Sequence, residues 1–231
     1  MNDLVSFTIS VNESDLLVHA SKHLEEITKE AVLLQREYIE AYIKKCPEFL
    51  NALIPLRING SVPLIIRDMA SSSQKAGVGP MAAVAGAIAE NVGMELLAYS
   101  DEIVVENGGD LFINTCRPVT VGIFAGKSPL SMRIGLRIDP KNRPVAVCTS
   151  SGTVGPSLSF GKADAVSVTS YSCSLADAAA TSIGNLVGLK NDIQSAIDFG
   201  KKIEGIHGIV VIIDDKMGIW GDINIVPVTT G

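Results

Sequence analysis

The stretch "DEIVVENGGDLFIN" at residues 101–114 decides the fold class of this chain. Two short apolar runs flank an Asn-Gly-Gly-Asp sequence at residues 107–110. This pattern is typical of two strands joined by a tight turn in which a glycine takes a positive φ. The stretch therefore predicts a β-hairpin, and with it local strand pairing rather than strict alternation of strands and helices.

Similar β-branched runs, separated by Gly, Pro, Asn and Asp, extend this pattern on both sides. They predict strands at residues 5–11, 62–70, 118–126, 132–139, 144–151 and 163–171. The last stretch, residues 207–227, predicts a hairpin that turns at residues 214–218. Residues 71–79 are predicted to form a loop between the strand at residues 62–70 and the helix that follows.

Helical spacing of apolar residues marks the remaining segments. It predicts one long N-terminal helix over residues 14–45, and further helices over 80–93, 174–185 and 192–203. The order of elements predicts an α+β fold in which a mixed or antiparallel sheet packs with helices. No Pro/Ser/Gly-rich linker interrupts the chain, so we expect a single domain over residues 1–231.

Composition and charge exclude several classes of partner. The 231 residues carry a formal net charge of −6, and no cluster of Lys and Arg offers a footprint for a nucleic acid. No apolar run approaches the ~20 residues of a membrane span, and the first residues lack a basic, then apolar, export signal. We therefore expect a cytoplasmic protein without a membrane or nucleic-acid partner.

The segment "AGVGPMAAVAGAIAE" at residues 76–90 is a candidate ligand site. Gly79 precedes a proline at the expected first helical position, so free backbone N–H groups would face outward at a positive helix end. Such an end suits a phosphate, and Met81 follows directly. A tightly packed core helix explains the same Ala/Gly pattern.

Two turns add further candidates. Asn107, Gly108, Gly109 and Asp110 place polar groups around the first hairpin, although an ordinary Asn/Gly/Asp hairpin explains them equally. Thr149, Ser150, Ser151 and Gly152 form a hydroxyl-rich turn after an apolar strand, where they can donate hydrogen bonds to a ligand. A serine nucleophile at Ser151 or Ser159 with Lys162 is a third, remote interpretation.

The segment "SLADAAATSIGN" at residues 174–185 contains one carboxylate and one hydroxyl four positions apart. On a helix, Asp177 and Thr181 share a face, where both can bind a hard cation such as Mg²⁺. Ser174 stands three residues before Asp177, which is also the spacing of a capping box. Spacing alone leaves both interpretations open.

Taken in order, "VENGGDLFIN", "VTVGI", "CTSSG" and "LADAAATSI" resemble the signature of the ApbE family, the FAD:protein FMN transferases. The combination is more similar still to an uncharacterised family distantly related to ApbE. The resemblance implies an ApbE-like fold and a small nucleotide ligand, FAD with Mg²⁺, from which FMN is transferred to a threonine of an acceptor protein. It implies Asp177 and Thr181 as metal ligands, and the NGGD and TSSG turns as the nucleotide pocket.

The sequence departs from ApbE transferases at two points. The helix after Gly79 has no carboxylate before Glu90. Residues 153–164, directly after the TSSG turn, contain no histidine, whereas ApbE transferases carry one there. The alternative is therefore a non-catalytic ligand-binding or scaffold protein of the same fold that has lost the transferase chemistry. The Ala/Gly helix and the low aromatic content are compatible with a homo-oligomer.

Overall fold

The computed structural model describes residues 4–139, 141–153 and 160–228. Six α-helices lie within these residues: α1 (Glu25–Lys45), α2 (Glu48–Asn51), α3 (Leu64–Ala76), α4 (Val84–Leu96), α5 (Cys173–Gly184) and α6 (Ile193–Gly200). A 3-10 turn, Pro80–Ala83, precedes α4. None of the helices in the described ranges is long and apolar enough to cross a membrane.

The strands form two sheets. They are β1 (Val5–Val11), β2 (Ser14–Ala20), β3 (Ile103–Asn107), β4 (Asp110–Asn114), β5 (Val119–Gly122), β6 (Ile134–Ile138), β7 (Val145–Ser150), β8 (Ala165–Ser170), β9 (Ile206–Ile213), β10 (Lys216–Gly221) and β11 (Ile225–Pro227). The large sheet has the order β1-β2-β3-β4-β7-β8-β9-β10, and the small one β11-β6-β5. Every pairing is antiparallel, so the α+β prediction is confirmed.

The central strands of the large sheet are buried on both faces. Along β9, Ile209 and Val211 join the core under the helices, whereas Val210 and Ile212 join the core under the small sheet. Successive side chains of a strand point to opposite faces, so a strand covered on both faces is apolar throughout. The fold therefore has three layers, with helices on one face of the large sheet and the small sheet on the other.

Helix α5 is the centre of the helical layer. It packs against β7 and β8 on one side and against α3 and α4 on others. Its residues are mostly alanine, serine and glycine, and ten of the twelve are buried. Small side chains allow the neighbouring backbones to approach closely, so the position of α5 is set by its main chain.

The prediction of one helix over residues 14–45 is wrong in its first part. Residues Ser14–Ala20 form β2, which pairs with β1 as a hairpin, and the helix begins only at Glu25. Leu16, Val18 and Ala20 alternate with exposed or half-buried residues and are buried in the sheet. The same apolar residues also satisfy a helical spacing. The turn at Asn12, with a φ of 52°, reverses the chain and so favours the hairpin.

The prediction of a strand at residues 62–70 and a loop at 71–79 is also wrong. Helix α3 begins directly after Pro63 and runs to Ala76. Ile65, Ile66 and Met69 are fully buried, at a spacing that places them on one helical face. A short apolar run cannot distinguish strand from helix by periodicity alone, and here packing against α1 and α5 selects the helix.

Gly93 does not end α4, which continues to Leu96. A Cβ at Gly93 would overlap the Phe112 ring, so we expect Gly93→Ala to lower the free energy of unfolding by about 1–3 kcal/mol. This result would reverse the usual gain of about 1 kcal/mol for alanine in a helix. The matched control is Gly184→Ala in α5, where the nearest atom, in Val166, would lie 3.7 Å away. Denaturant unfolding measures both, and an equally stable Gly93→Ala would contradict the packing.

Candidate functional site

The first turns of α4 and α5 cap each other. The Gly86 N–H, in the first turn of α4, donates to Asp177 Oδ2 of α5 at 2.9 Å. In return, the Ser174 N–H, in the first turn of α5, donates to Glu90 Oε2 of α4 at 3.2 Å. The N–H groups of a first helical turn have no partner within their own helix, and they carry a partial positive charge. Each carboxylate therefore satisfies and stabilises the other helix.

A glycine makes this reciprocal capping possible. A Cβ at Gly86 would overlap the Cys173 carbonyl and the Asp177 Cβ. The backbones of the two helices thus touch at the point where each helix receives the carboxylate of the other. Any larger residue at position 86 would separate the helices and withdraw the Asp177 carboxylate from its amide donors.

The capping box predicted within residues 174–177 is wrong. Helix α5 begins at Cys173, and its N-cap is Ser172, whose hydroxyl accepts from the Leu175 N–H at 3.4 Å. Ser174 already lies inside the helix, and its hydroxyl faces Glu90 Oε2 at 3.4 Å. Asp177 therefore does cap a helix, but that helix is α4, which is distant in the sequence.

The NGGD turn, which joins β3 to β4, lies beside the first turns of α4 and α5. Gly108 has a φ of 64°, as predicted for a two-residue hairpin turn. Asn107 is 7% exposed, and its side-chain amide donates to the Ala85 carbonyl at 3.0 Å, next to the amide that holds Asp177. Gly109 approaches the Thr149 carbonyl so closely that no Cβ fits there. Hairpin, α4 and α5 thus meet at one point.

Asp110 and Asp177 are two carboxylates in this meeting point. Burial raises the pKa of Asp110 to about 7, although the Cys148 thiol and the Thr149 amide lower it. Burial, and then the nearby charge of Asp110, raise the pKa of Asp177 well above its usual range against the opposing effect of the Gly86 and Ala85 amides. Within the described ranges, neither carboxylate forms an ion pair with Lys, Arg or His.

Thr181 lies one turn after Asp177 on α5. Its hydroxyl makes no hydrogen bond among the described residues, not even the bond to the carbonyl one turn earlier that a helical threonine can form. Asp177, Thr181 and Asn185 follow one another along the same face, and Asn185 Oδ1 accepts from the Phe160 N–H at 2.8 Å. In the part of the chain that is described, no three Asp, Glu, His or Cys side chains form a metal-binding cluster.

The side chains of Thr149 and Ser150 in the TSSG turn lie on opposite faces of the large sheet. Ser150 is buried and follows Ala146 and Cys148 on the helical face. The Thr149 hydroxyl lies on the opposite face, 2.8 Å from that of Ser167. The side chain of Thr149 is thus turned away from Asp177, and only its backbone adjoins the NGGD turn.

The end of the TSSG turn is held by backbone contacts. The Gly152 N–H donates to the Ala163 carbonyl at 2.9 Å, and a Cβ at Gly152 would overlap the Gly161 carbonyl. Ser151 is half-buried, and its hydroxyl accepts from the Thr153 N–H at 3.1 Å. Ser159, the other predicted serine nucleophile, lies outside the described residues.

The phosphate site predicted at residues 79–80 is differently arranged. The α-helix begins at Val84, after the 3-10 turn, and its first amides are occupied by Asp177. A Cβ at Gly79 would overlap the Ala52 carbonyl, so this glycine permits a close backbone contact. The helix end that we expected to attract a phosphate thus already holds a carboxylate.

Met81 and Asn107 line a groove of about 580 Å³ between α1 and α4. Its walls are mostly apolar and include Ile39, Val84 and Ile88. The Arg36 guanidinium also borders it and donates to the Ser14 hydroxyl at 3.0 Å. The groove therefore offers an apolar surface beside the amide of Asn107. Its charged border contains Arg36 and Lys44, and also Glu13 and Glu40, which both pair with Arg36.

Glu90 and Gly86 belong to this site, although neither was predicted as a member of it. Their signal is the spacing: Glu90 follows Gly86 by four residues, as Asp177 follows Cys173. Two helices that begin with a small or buried residue and carry a carboxylate one turn later can cap each other. This pattern is visible in the sequence only when both helices are considered together.

Comparison with known proteins places this chain in a family. The sequence model of a family described as AbpE bacteria matches residues 1–223. The chain belongs to this family. A protein of Methanococcus aeolicus named UPF0280 protein is similar to this chain, with 42% identity over 222 residues that cover 93% of this chain and 89% of that protein.

Solved structures of ApbE proteins share the fold of this chain. The flavinyl transferase ApbE of Pseudomonas stutzeri matches with a TM-score of 0.60 and 17% identity over 94% of each chain. A variant of the flavin transferase ApbE of Vibrio cholerae matches with a TM-score of 0.60 and 12% identity, over 94% of this chain and 97% of that one. The predicted distant relation to ApbE is confirmed, and at such identities it establishes the fold.

The capping role of Glu90 can be tested by stability. We expect Glu90→Ala to lower the free energy of unfolding by about 1–3 kcal/mol, because the first turn of α5 loses its acceptor and a cavity remains. Glu90→Gln should lose less, since its amide oxygen still accepts from the Ser174 N–H. The control is Glu95→Ala, an exposed residue of the same helix. Equal stability of the Glu90→Ala and Glu95→Ala variants would show that the cap contributes nothing.

The raised pKa of Asp110 predicts a pH dependence. Its folded-state pKa of about 7 lies above the ordinary value of about 3.9. The folded state therefore holds the proton more tightly, and stability falls as pH rises from about 4 to 7, by at most about 1.4 kcal/mol per pH unit. Unfolding measured in a chelator should show this slope, and Asp110→Asn should reduce it. The exposed control Asp101→Asn should leave the slope unchanged. If Asp110→Asn also leaves it unchanged, the assignment of the slope to Asp110 is refuted.

Proposed function

We propose that this protein binds FAD or a related nucleotide together with Mg²⁺, and that it transfers FMN to an acceptor or cleaves the pyrophosphate. The observation that carries the proposal is the pair of buried carboxylates, Asp110 and Asp177, without a cationic partner among the described residues. Uncompensated buried carboxylates are costly, and a bound cation would remove most of that cost.

The donor set supports Mg²⁺ as the cation. Asp177 and Thr181 would hold it through a carboxylate and a hydroxyl, both oxygen donors of the kind that Mg²⁺ prefers. Mg²⁺ usually keeps several waters and substrate phosphates in its shell, so two protein ligands suffice. The Thr181 hydroxyl is available for this role, because it makes no other hydrogen bond within the described residues.

The other parts of the site would position the nucleotide. The amides of Gly86 and Ala85 hold the Asp177 carboxylate in place, so that it could bind the cation without a change of rotamer. Asn107 fixes the NGGD turn to α4 and borders the groove beside Met81. This groove suits a flat apolar ring system.

Bound between phosphates, Mg²⁺ would act as a Lewis acid and as a template for displacement at phosphorus. The protein's contribution is to place the ligand and to exclude water from the buried carboxylates. Gly109, Ser150, Ser151 and Gly152, with the backbone of Thr149, are the further residues that we propose to contact the nucleotide. The proteins named flavin transferase ApbE that share this fold make flavin chemistry the first to test.

Incubation with FAD and Mg²⁺ tests the proposal directly. We expect release of AMP, with FMN either free or attached to an added acceptor, measured by chromatography and mass spectrometry. Asp177→Asn and Thr181→Val should each raise the Mg²⁺ concentration required at least about tenfold, as loss of a metal contact typically does. Exposed Asp101→Asn and Thr120→Val are the matched controls. No AMP release and no FAD binding by calorimetry would refute the proposal.

The alternative function is nucleotide binding without chemistry. It is favoured by the positions of the histidines: His19 lies on β2, His23 precedes α1, and His207 begins β9 away from Asp177. A purified protein that binds FAD with Mg²⁺, but neither releases AMP nor labels an acceptor, would select this alternative.

A further inference from the structure

A second polar cavity lies at one end of the large sheet, remote from the carboxylate pair. It has a volume of about 170 Å³ and is bordered by the end of β6, the start of β7, the end of β8 and the start of β9. A cavity needs only about 10–15 Å³ to hold one water molecule, so this one admits a small anion with bound water. We refer to it as the β-end cavity.

The β-end cavity is lined by two basic and two acidic side chains. Arg137 and Lys141 line it, and each pairs with one exposed carboxylate, Asp139 at 3.1 Å and Asp222 at 3.7 Å. Arg143 is exposed, contacts the lining residue Tyr171, and has no carboxylate partner in the described part of the chain. This third cation makes the charge beside the cavity positive, which attracts an anion.

Tyr171 and His207 line one side of this cavity, and Arg143 stacks on Tyr171. The Arg143 guanidinium carbon lies 3.2 Å from the centre of the Tyr171 ring, and the Tyr171 and His207 ring centres are 4.3 Å apart. The aromatic ring fixes the guanidinium through a cation–π contact, which leaves its N–H groups free at the edge. Burial lowers the pKa of His207, and the charges of Arg143 and Lys141 lower it further, whereas Asp222 raises it.

The Thr169 hydroxyl is the one polar group of this cavity that is both buried and unsatisfied among the described residues. Thr169 is 5% exposed and lies on β8 opposite Gly208. An unpaired buried hydroxyl costs free energy, and native structures rarely leave one without a reason. An oxyanion in the β-end cavity would accept its hydrogen bond.

We propose that the β-end cavity binds a small phosphate-type oxyanion, free or as a phosphate monoester, through Arg143, His207 and Thr169. Guanidinium, imidazole N–H and hydroxyl donors together match the several acceptor oxygens of such an ion. Carboxylates carry one charge in a plane and match this donor set less well.

The proposed anion site is separate from the carboxylate pair. Thr169 follows Ser167 on the face of the sheet that carries the small sheet, whereas Asp110 and Cys148 face the helices. The large sheet thus lies between the two sites. An anion bound here cannot contact Asp177, so the proposal stands whether or not the protein acts on FAD.

Titration of the purified full-length chain with inorganic phosphate tests the site, with calorimetry and the NMR shifts of the His207 ring as readouts. We expect saturable binding and a rise in the His207 pKa, because the anion stabilises the imidazolium. Arg143→Met should weaken binding at least about tenfold, and Thr169→Val should weaken it measurably. The matched control is Arg57→Met, an exposed arginine outside the cavity.

Three outcomes would overturn the proposal. They are an unchanged His207 pKa at saturating phosphate, equal phosphate affinity in the Arg143→Met and Arg57→Met variants, and an equal response to acetate. A phosphate monoester that binds more tightly than phosphate would identify the ligand as an organic phosphate, and the reverse would identify the free ion. Circular dichroism checks that each variant is folded, and Lys141→Met, a change at the exposed rim, provides a second test of the charge.

Discussion

The reciprocal capping of α4 by Asp177 and of α5 by Glu90 is the contact on which the helical layer depends. Each helix starts inside the protein, where water cannot satisfy its first N–H groups, and each receives its acceptor from the other. This reciprocal capping requires direct contact between the two backbones, which only a glycine at position 86 allows. Because α5 also packs against β7 and β8, this contact connects the helices to the sheet at the place where the NGGD turn arrives.

The same arrangement explains why Asp177 is unusual for a structural cap. A cap at the protein surface is solvated, whereas Asp177 shares its surroundings with Asp110, and the pKa of each is raised. A chain selected for stability alone would place a neutral acceptor at one of these positions. Retention of two acids in one small volume is typical of sites that bind a cation or move a proton. Proton release on cation binding follows directly, since the cation and the protons compete for the same oxygens.

Much of this fold could be predicted from local patterns. The hairpin at residues 101–114, the hairpin that turns at Asp214 and the helix at Asp177 all follow from turn residues and periodicity. The failures have a common cause. Residues 14–20 and 62–70 are apolar runs that satisfy both helical and strand spacing, and the choice depends on neighbours that are far away in the sequence. The partner of Asp177 is likewise 91 residues away, so no local pattern contains it.

The small side chains of α5 have a consequence for how this protein can change. A helix held by large interdigitating side chains can absorb a substitution by repacking, because several rotamers share the adjustment. Helix α5 touches its neighbours through main-chain atoms and methyl groups, and at Gly184 its carbonyl lies against the Cα of Gly161. Such a surface has almost no torsional freedom with which to adapt. The distance between the carboxylates is therefore encoded in the backbone, and selection can alter the ligand only through the loops and the groove around a core of fixed dimensions.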